Sequence, residues 1–183
     1  PERVLVILDE AYYEYAHNYE DFPDSMSYRL DNVITLRTFS KCYGLAGFRV
    51  GYGFAHHTLI KNLLKVKLPF EPSIPAQEAA IGSLEDSKYL KKILDSNQLG
   101  MDYLSSEFVK IKVPFINSCT NFITIIFDSQ DVASKFLKLM LKSGIILRGL
   151  SNFGLPNCVR VTVGTIEENK IFIKKLKEVY REL

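Results

Sequence analysis

The chain has 183 residues, of which 47% are hydrophobic and 24% are charged, and its formal net charge is +2. This composition is ordinary for a globular protein, and so small a charge argues against the basic surface that a nucleic-acid or membrane partner requires. The sequence has no run of about 18 apolar residues that could span a bilayer. Its three cysteines, Cys42, Cys119 and Cys158, lack metal-site spacing. We expect a cytoplasmic protein with reduced thiols and no bound metal.

The start of the chain is abrupt. Pro1, Glu2 and Arg3 lead almost directly into an apolar segment of strand type, with no initiator methionine. We interpret the sequence as a fragment of a longer protein.

Two apolar runs of strand length end in polar residues. Val4 to Leu8 is typical of a strand covered on both faces, and it is followed at once by Asp9. Val33 to Leu36 leads into the segment that contains Lys41, and a third strand is predicted from Phe48 to Phe54. Because open α/β sheets bind ligands at the carboxyl ends of their strands, Asp9 and Lys41 are expected to converge on one site.

The rest of the chain alternates helical and strand patterns. Helices are predicted over His56–Lys67, Ile74–Leu84, Ser87–Lys110 and Asp131–Lys142, and strands over Asn121–Phe127, Ile145–Arg148 and Val159–Val163. Thr165 and Glu168 have the spacing of a capping box that opens a last helix. The change of pattern after Pro114 indicates a separate small α+β unit. We predict an α/β protein with a first domain over residues 1–85, a connecting helix over 86–114 and a small domain over 115–183.

The polar residues after the first two strands suit one cofactor. Pyridoxal phosphate requires a lysine amine, an acid beside its pyridine nitrogen and donors for its phosphate, and it gains from a hydrogen bond to its phenolic oxygen. Lys41, Asp9 and Tyr12 meet the first, second and last of these requirements. Thr38, Ser40 and Arg49 offer the phosphate donors, Arg49 with a charge-assisted and bidentate geometry. Taken singly, each of these residue types is more often structural than catalytic.

Three segments together resemble a known family. Thr38 to Tyr52, with the sequence TFSKCYGLAGFRVGY, resembles the lysine motif of fold-type I aminotransferases, specifically the histidinol-phosphate aminotransferase family. Asp9 to Tyr12 resembles that family's aspartate–tyrosine motif, and Gly144–Arg148 with Gly154–Thr165 resembles its small domain. The resemblance covers nearly the whole chain and corresponds to the C-terminal half of such enzymes.

The resemblance implies a role for each site residue. The fold would be fold-type I, with the second half of the large mixed-sheet cofactor domain followed by a small α+β domain. Lys41 would form the Schiff base with pyridoxal 5'-phosphate and later act as the acid and base. Asp9 would keep the pyridine nitrogen charged, and Tyr12 would donate to the phenolic oxygen. The phosphate would be anchored by Thr38, Ser40 and Arg49.

The resemblance also implies substrates and an assembly. The reaction would convert histidinol phosphate and 2-oxoglutarate to imidazole acetol phosphate and glutamate in histidine biosynthesis, in a homodimer. Arg160 and Arg148 are the candidates for binding the anionic groups of the substrates. The family's upstream site elements are absent, so we expect the fragment alone to be inactive. Leu68 to Ser73 replaces a Tyr-Asn pair common in the family, which leaves the amino donor open.

Other functions remain open at this point. One is a related aminotransferase for aromatic amino acids or a phospho-amino-acid decarboxylase of the same fold. Another is a binding or regulatory module that keeps the fold without catalysis.

Overall fold

The structure is a computed structural model that describes residues 3–28 and 30–183. The chain forms two compact units, Pro1–Leu94 and Asp95–Leu183. The predicted assignment of residues 1–85, 86–114 and 115–183 to a cofactor domain, a connecting helix and a small domain stays a prediction. Part of the predicted fragment start, Pro1 and Glu2, lies outside the described residues. Within the described ranges, no helix is long and apolar enough to cross a membrane.

A three-stranded sheet forms the centre of the first unit. Its strands are β1 (Val6–Asp9), β2 (Val33–Thr38) and β3 (Gly51–Ala55), in that order across the sheet. β1 runs parallel to β2, and β3 runs antiparallel to it. The three strands therefore occur where the sequence predicts them. β3 starts later than predicted because a 3-10 turn occupies Ala46–Phe48 and Arg49 follows it in the left-handed region, with φ of 53°.

The strand β1 is not covered on both faces, and that prediction is wrong for this structure. Ile7 is 59% exposed and Val6 is 37% exposed. Among the described residues β1 pairs only with β2, so it forms an edge of the sheet. An apolar run indicates a strand that is suited to burial, but whether the strand is buried depends on the elements that neighbour it.

The helices of the first unit follow the predicted pattern, with one addition. They are α1 (Tyr13–Ala16), α2 (His57–Leu64), α3 (Ile74–Glu85) and α4 (Ser87–Lys110), of which α4 continues into the second unit. At the start of α3 the Ser73 hydroxyl accepts a hydrogen bond from the Ala76 amide, which satisfies a free helix donor. The sequence pattern missed α1, which is only 4 residues long. A small core of Phe39, Val50, Ala76 and Ala80 packs the Lys41 loop region against α3.

The second unit is a four-stranded antiparallel sheet with helices. Its elements are β4 (Phe115–Ile116), β5 (Phe122–Ile126), α5 (Gln130–Lys142), β6 (Arg148–Leu150), β7 (Leu155–Thr162) and α6 (Ile166–Val179). The strand order is β4-β5-β7-β6. Its core has fully buried members from helices and strands alike, including Leu104, Phe108, Ile123, Phe136 and Leu176. The predicted capping box is confirmed, since Thr165 and Glu168 exchange both hydrogen bonds.

The strand predicted over Ile145–Arg148 is wrong in position. The structure forms β6 over Arg148–Leu150 instead. Gly144 adopts a φ of 81°, and the Ile145 amide donates to the Met140 carbonyl at 2.9 Å. This left-handed glycine closes α5 and uses the backbone of Ile145 in the helix cap, so the strand can start only later.

Candidate functional site

The carboxyl ends of β1 and β2 lie at one edge of the sheet. Asp9 is the last residue of β1 and stands in register with Leu36 of β2. β2 ends at Thr38, and the loop after it carries Lys41. Because the two strands are parallel, their ends bring Asp9 and the Lys41 loop to the same edge, as the sequence predicts. Asp9 Oδ1 also accepts a hydrogen bond from the Ala11 amide at 3.0 Å, which shapes the turn that follows.

Lys41 and Tyr12 approach each other from the two loops. The Lys41 Nζ atom lies 5.3 Å from the centroid of the Tyr12 ring, within cation–π range. Lys41 is exposed and Tyr12 is half-buried. An exposed amine thus stands beside a phenol at the end of the sheet.

The loop that carries Lys41 is held by backbone hydrogen bonds. The Gly44 amide donates to the Lys41 carbonyl at 3.0 Å, and the Leu45 amide donates to the Phe39 carbonyl at 2.9 Å. Gly44 has a φ of 72°, a conformation that glycine adopts without steric cost. The turn therefore fixes the position of Lys41 relative to β2.

The residues predicted to donate hydrogen bonds to the cofactor phosphate lie around the same edge. Gly51 of β3 pairs with Thr38, which places Arg49 at this end of the sheet. Thr38 Oγ1 accepts the Ser40 amide at 3.1 Å, and its hydroxyl can still donate to another group. Arg49 donates one hydrogen bond, from Nη1 to the Ala46 carbonyl at 3.0 Å, and its side chain is exposed. Two hydroxyls and a guanidinium are a donor set that suits a phosphate group.

The backbone of Arg49 is strained. Its φ of 53° is in the left-handed region, which costs a residue with a Cβ atom about 1 kcal/mol or more. Phe70 and Lys112 also have positive φ, at 67° and 58°, so the conformation by itself assigns no role to Arg49.

A buried acid lies close to the Lys41 loop, and the sequence analysis missed it. Glu14 of α1 is 6% exposed, and burial raises its pKa above the ordinary value. The adjoining thiol of Cys42 is also buried, and burial raises its pKa to about 11. Cys42 is therefore a neutral packing residue at pH 7, with its thiol hydrogen-bonded to Tyr15. The sequence around Glu14 does not indicate that its side chain is buried.

The buried carboxyl makes stability depend on pH in a defined direction. A raised pKa in the folded state means that the native protein binds a proton that the unfolded chain releases above its pKa of about 4.5. Stability is then lost as the pH rises from there through the folded-state pKa. We expect Glu14→Gln to raise the melting temperature at pH 7.5 and to flatten its decline between pH 5 and pH 7.5. Thermal melts of Glu20→Gln, an exposed glutamate of the same unit, provide the control. An unchanged profile in Glu14→Gln would contradict this account.

The second unit places Arg148 and Arg160 directly opposite each other. They are register partners on β6 and β7. Together they line a cavity of about 400 Å³ that also includes Thr162, Gly164 and Asn169. The Arg160 Nε atom is buried and has no hydrogen-bond partner among the described residues. Glu168 also lines this cavity, and the Arg160 Cζ atom lies 4.9 Å from the centroid of the Phe122 ring. Two guanidinium groups on facing strands are a donor set that suits an anion.

One family model and several curated proteins are similar to this chain. The family model for aminotransferase class I and II matches residues 1–176. Histidinol-phosphate aminotransferase 1 of Nitrosococcus oceani is 42% identical over 184 residues, which cover 100% of this chain and 49% of that protein. Histidinol-phosphate aminotransferase 2 of Carboxydothermus hydrogenoformans is 39% identical over 98% of this chain and 49% of that protein.

A solved structure is also similar to this chain over its whole length. The crystal structure of histidinol-phosphate aminotransferase from Sinorhizobium meliloti in complex with pyridoxal-5'-phosphate is 30% identical and has a TM-score of 0.89. The match covers 100% of this chain and 50% of that chain. The chain therefore spans about half the length of the curated relatives it matches.

Proposed function

The chain belongs to the class I and II aminotransferases, and from that premise we propose that it is part of a pyridoxal-phosphate-dependent histidinol-phosphate aminotransferase. The whole protein would transfer the amino group of histidinol phosphate to 2-oxoglutarate, with imidazole acetol phosphate and glutamate as products. We place it in histidine biosynthesis in the cytoplasm, as a homodimer. The names of its relatives support the choice of reaction.

One observation carries the proposal. Asp9 and the Lys41 loop share one edge of the sheet, and Lys41 Nζ lies 5.3 Å from the Tyr12 ring. An acid, an amine and a phenol at one place are the three groups that pyridoxal phosphate needs around its ring. Such a set is not expected in a module that only keeps the fold.

Each residue has a defined task in this reaction. Bound pyridoxal phosphate supplies a ring that withdraws electrons from the substrate carbon. The amine of Lys41 would hold the cofactor and, once displaced by the substrate, would act as the acid and base that moves the proton from the substrate carbon to the cofactor carbon that carries the amino group. The Asp9 carboxylate holds the proton on the ring nitrogen. The Tyr12 hydroxyl donates a hydrogen bond to the phenolic oxygen.

The phosphate donors and the substrate arginines complete the assignment. Thr38, Ser40 and Arg49 would orient the cofactor by its phosphate. Arg148 and Arg160 would bind the phosphate of histidinol phosphate or the carboxylates of glutamate, because both are planar or tetrahedral anions that suit a guanidinium fork. The cavity that Arg148 and Arg160 line together supports this role most directly.

Removing the charge of Arg160 should weaken anion binding. We expect Arg160→Met to raise the dissociation constant for histidinol phosphate about 10- to 100-fold, since a hydrogen bond to a charged group contributes about 1.5–3 kcal/mol. Isothermal titration calorimetry measures the change. Arg181→Met removes the same charge from an exposed site in the same unit and should leave binding unchanged. Equal affinities in wild type and Arg160→Met would remove Arg160 from the site.

The choice of substrate has its own test. Amino transfer is measured in the full-length protein with histidinol phosphate and with phenylalanine as donors, and decarboxylation is measured with a phosphorylated amino acid. Activity on histidinol phosphate alone supports the proposal. Preference for phenylalanine indicates an aromatic aminotransferase, decarboxylation indicates a phospho-amino-acid decarboxylase, and no turnover with any of them favours a binding module.

A further inference from the structure

A buried ion pair lies directly behind the loop that carries Tyr12. Glu10 follows Asp9, and its Oε2 atom accepts a hydrogen bond from Arg37 Nε at 2.9 Å and lies 2.9 Å from Arg37 Nη2 in the same ion pair. Its Oε1 atom accepts the Ser25 amide at 3.1 Å. The two side chains are only 7% and 10% exposed. Nothing in the proposed chemistry uses either residue.

The guanidinium of Arg37 also contacts the loop a second time. Its central carbon lies 3.3 Å from the centroid of the Tyr13 ring. Arg37 therefore holds residue 10 by an ion pair and residue 13 by stacking, and the segment between these contacts contains Tyr12. A lysine cannot replace it here, since only the planar fork supports both contacts at once.

The same turn is closed by its own backbone. The Tyr13 amide donates to the Glu10 carbonyl at 3.0 Å, and the Tyr15 amide donates to the Tyr12 carbonyl at 3.1 Å. Arg37 belongs to β2, the strand that leads to Lys41. The contacts of Arg37 with Glu10 and Tyr13 thus connect the turn that contains Tyr12 to β2, the strand that precedes the Lys41 loop.

We propose that Arg37, through its ion pair with Glu10 and its stacking on Tyr13, is a positioning residue that sets Tyr12 beside Lys41 and so tunes the protonation of the lysine–cofactor linkage. This inference rests on the proposed function. It assigns to Arg37 an effect that must pass through the Tyr12 hydroxyl, and this requirement makes it testable.

The experiment is a double-mutant cycle on an absorption band. The full-length protein is loaded with pyridoxal phosphate, and the pH midpoint of the lysine–cofactor band is measured for wild type, Tyr12→Phe, Arg37→Lys and the double variant. Loss of the hydroxyl donor should raise the midpoint by about one pH unit, the size of one hydrogen bond. Arg37→Lys should shift it in the same direction, and the double variant should match Tyr12→Phe alone. Additive shifts, or no shift in Arg37→Lys, would overturn the proposal.

Two further variants separate positioning from folding. Asp24→Asn removes the other acid that contacts Arg37, at 3.3 Å, and keeps the side-chain cap on Met26, so it should leave the midpoint unchanged. If Arg37→Lys does not fold, the paired variant Glu10→Gln/Arg37→Met replaces it, because it leaves no unpaired buried charge. A midpoint like that of wild type in this paired variant also counts against the proposal.

The outcome for wild type distinguishes this inference from the proposed function. A wild-type protein that forms no lysine–cofactor band contradicts the proposed function. The same variants are then compared without cofactor, by the rate at which Lys41 reacts with an acylating reagent. Equal rates in all variants would overturn the positioning role, and non-additive changes would support it.

Discussion

Borohydride reduction of the cofactor-loaded full-length protein, followed by peptide mapping, is expected to label Lys41 and no other lysine. The motif around Lys41 resembles the cofactor lysine motif of the family, and the structure holds this residue in a fixed turn beside Tyr12. Because the amine would both bind the cofactor and move the proton, Lys41→Ala should lower turnover by several orders of magnitude. Absorbance and single-turnover kinetics measure these effects.

The control for this experiment is another lysine of the same unit. Lys61 lies on α2 and is exposed, so Lys61→Ala should keep both the label on Lys41 and normal turnover. A label on a lysine other than Lys41 would remove the assignment, even if the protein is an active aminotransferase.

Asp9→Ala is expected to lower turnover by several orders of magnitude. The cofactor should still bind, because the residues proposed to bind its phosphate are unchanged. The carboxylate would keep the pyridine nitrogen protonated, and without that charge the ring withdraws electrons poorly. Asp9 has a second role, since its Oδ1 accepts the Ala11 amide. Steady-state kinetics of Asp9→Ala alone would not separate the two roles.

Asp9→Asn separates the charge from the turn. Asparagine retains an oxygen that can accept the Ala11 amide, but it lacks the negative charge. Comparable losses in Asp9→Asn and Asp9→Ala would attribute the effect to the charge, whereas recovery in Asp9→Asn would attribute it to the turn. Asp21→Ala, at an exposed position, is the control. Near-normal turnover of Asp9→Ala would contradict the role of Asp9 altogether.

The family and the fold-type I class are the parts that the sequence predicted best, and both are confirmed by the relatives. Helix α4 has the predicted bounds, and its apolar residues recur at helical spacing on both sides of a polar interruption at Asn97 and Gln98. β6 was misplaced because the helix cap at Gly144 uses the backbone of Ile145, and a hydrophobic run does not reveal that use. β4 was missed because 2 residues carry no period.

In the site, the sequence predicted residues that belong to local motifs but not contacts between residues far apart in the chain. The motifs predicted Asp9, Tyr12 and Lys41, and their roles stay predictions that the experiments above address. The contact between Glu10 and Arg37 joins residues 27 positions apart, and neither residue's neighbours in the sequence indicate a partner. A charged residue within β2 was the available signal for Arg37, and Glu10 lies in the polar segment after β1. Contacts of this kind depend on the fold and not on local pattern.

At position 49, the residue that best suits the backbone conformation differs from the residue that best suits the proposed phosphate contact. Glycine would adopt this conformation without strain and would stabilise the turn, but it would remove the guanidinium. Selection for thermal stability alone would therefore move the position toward glycine, and selection for phosphate binding, if Arg49 has the proposed role, would oppose it. In a laboratory evolution experiment that rewards only heat resistance, we expect glycine at position 49 to be accepted, with loss of the proposed phosphate contact.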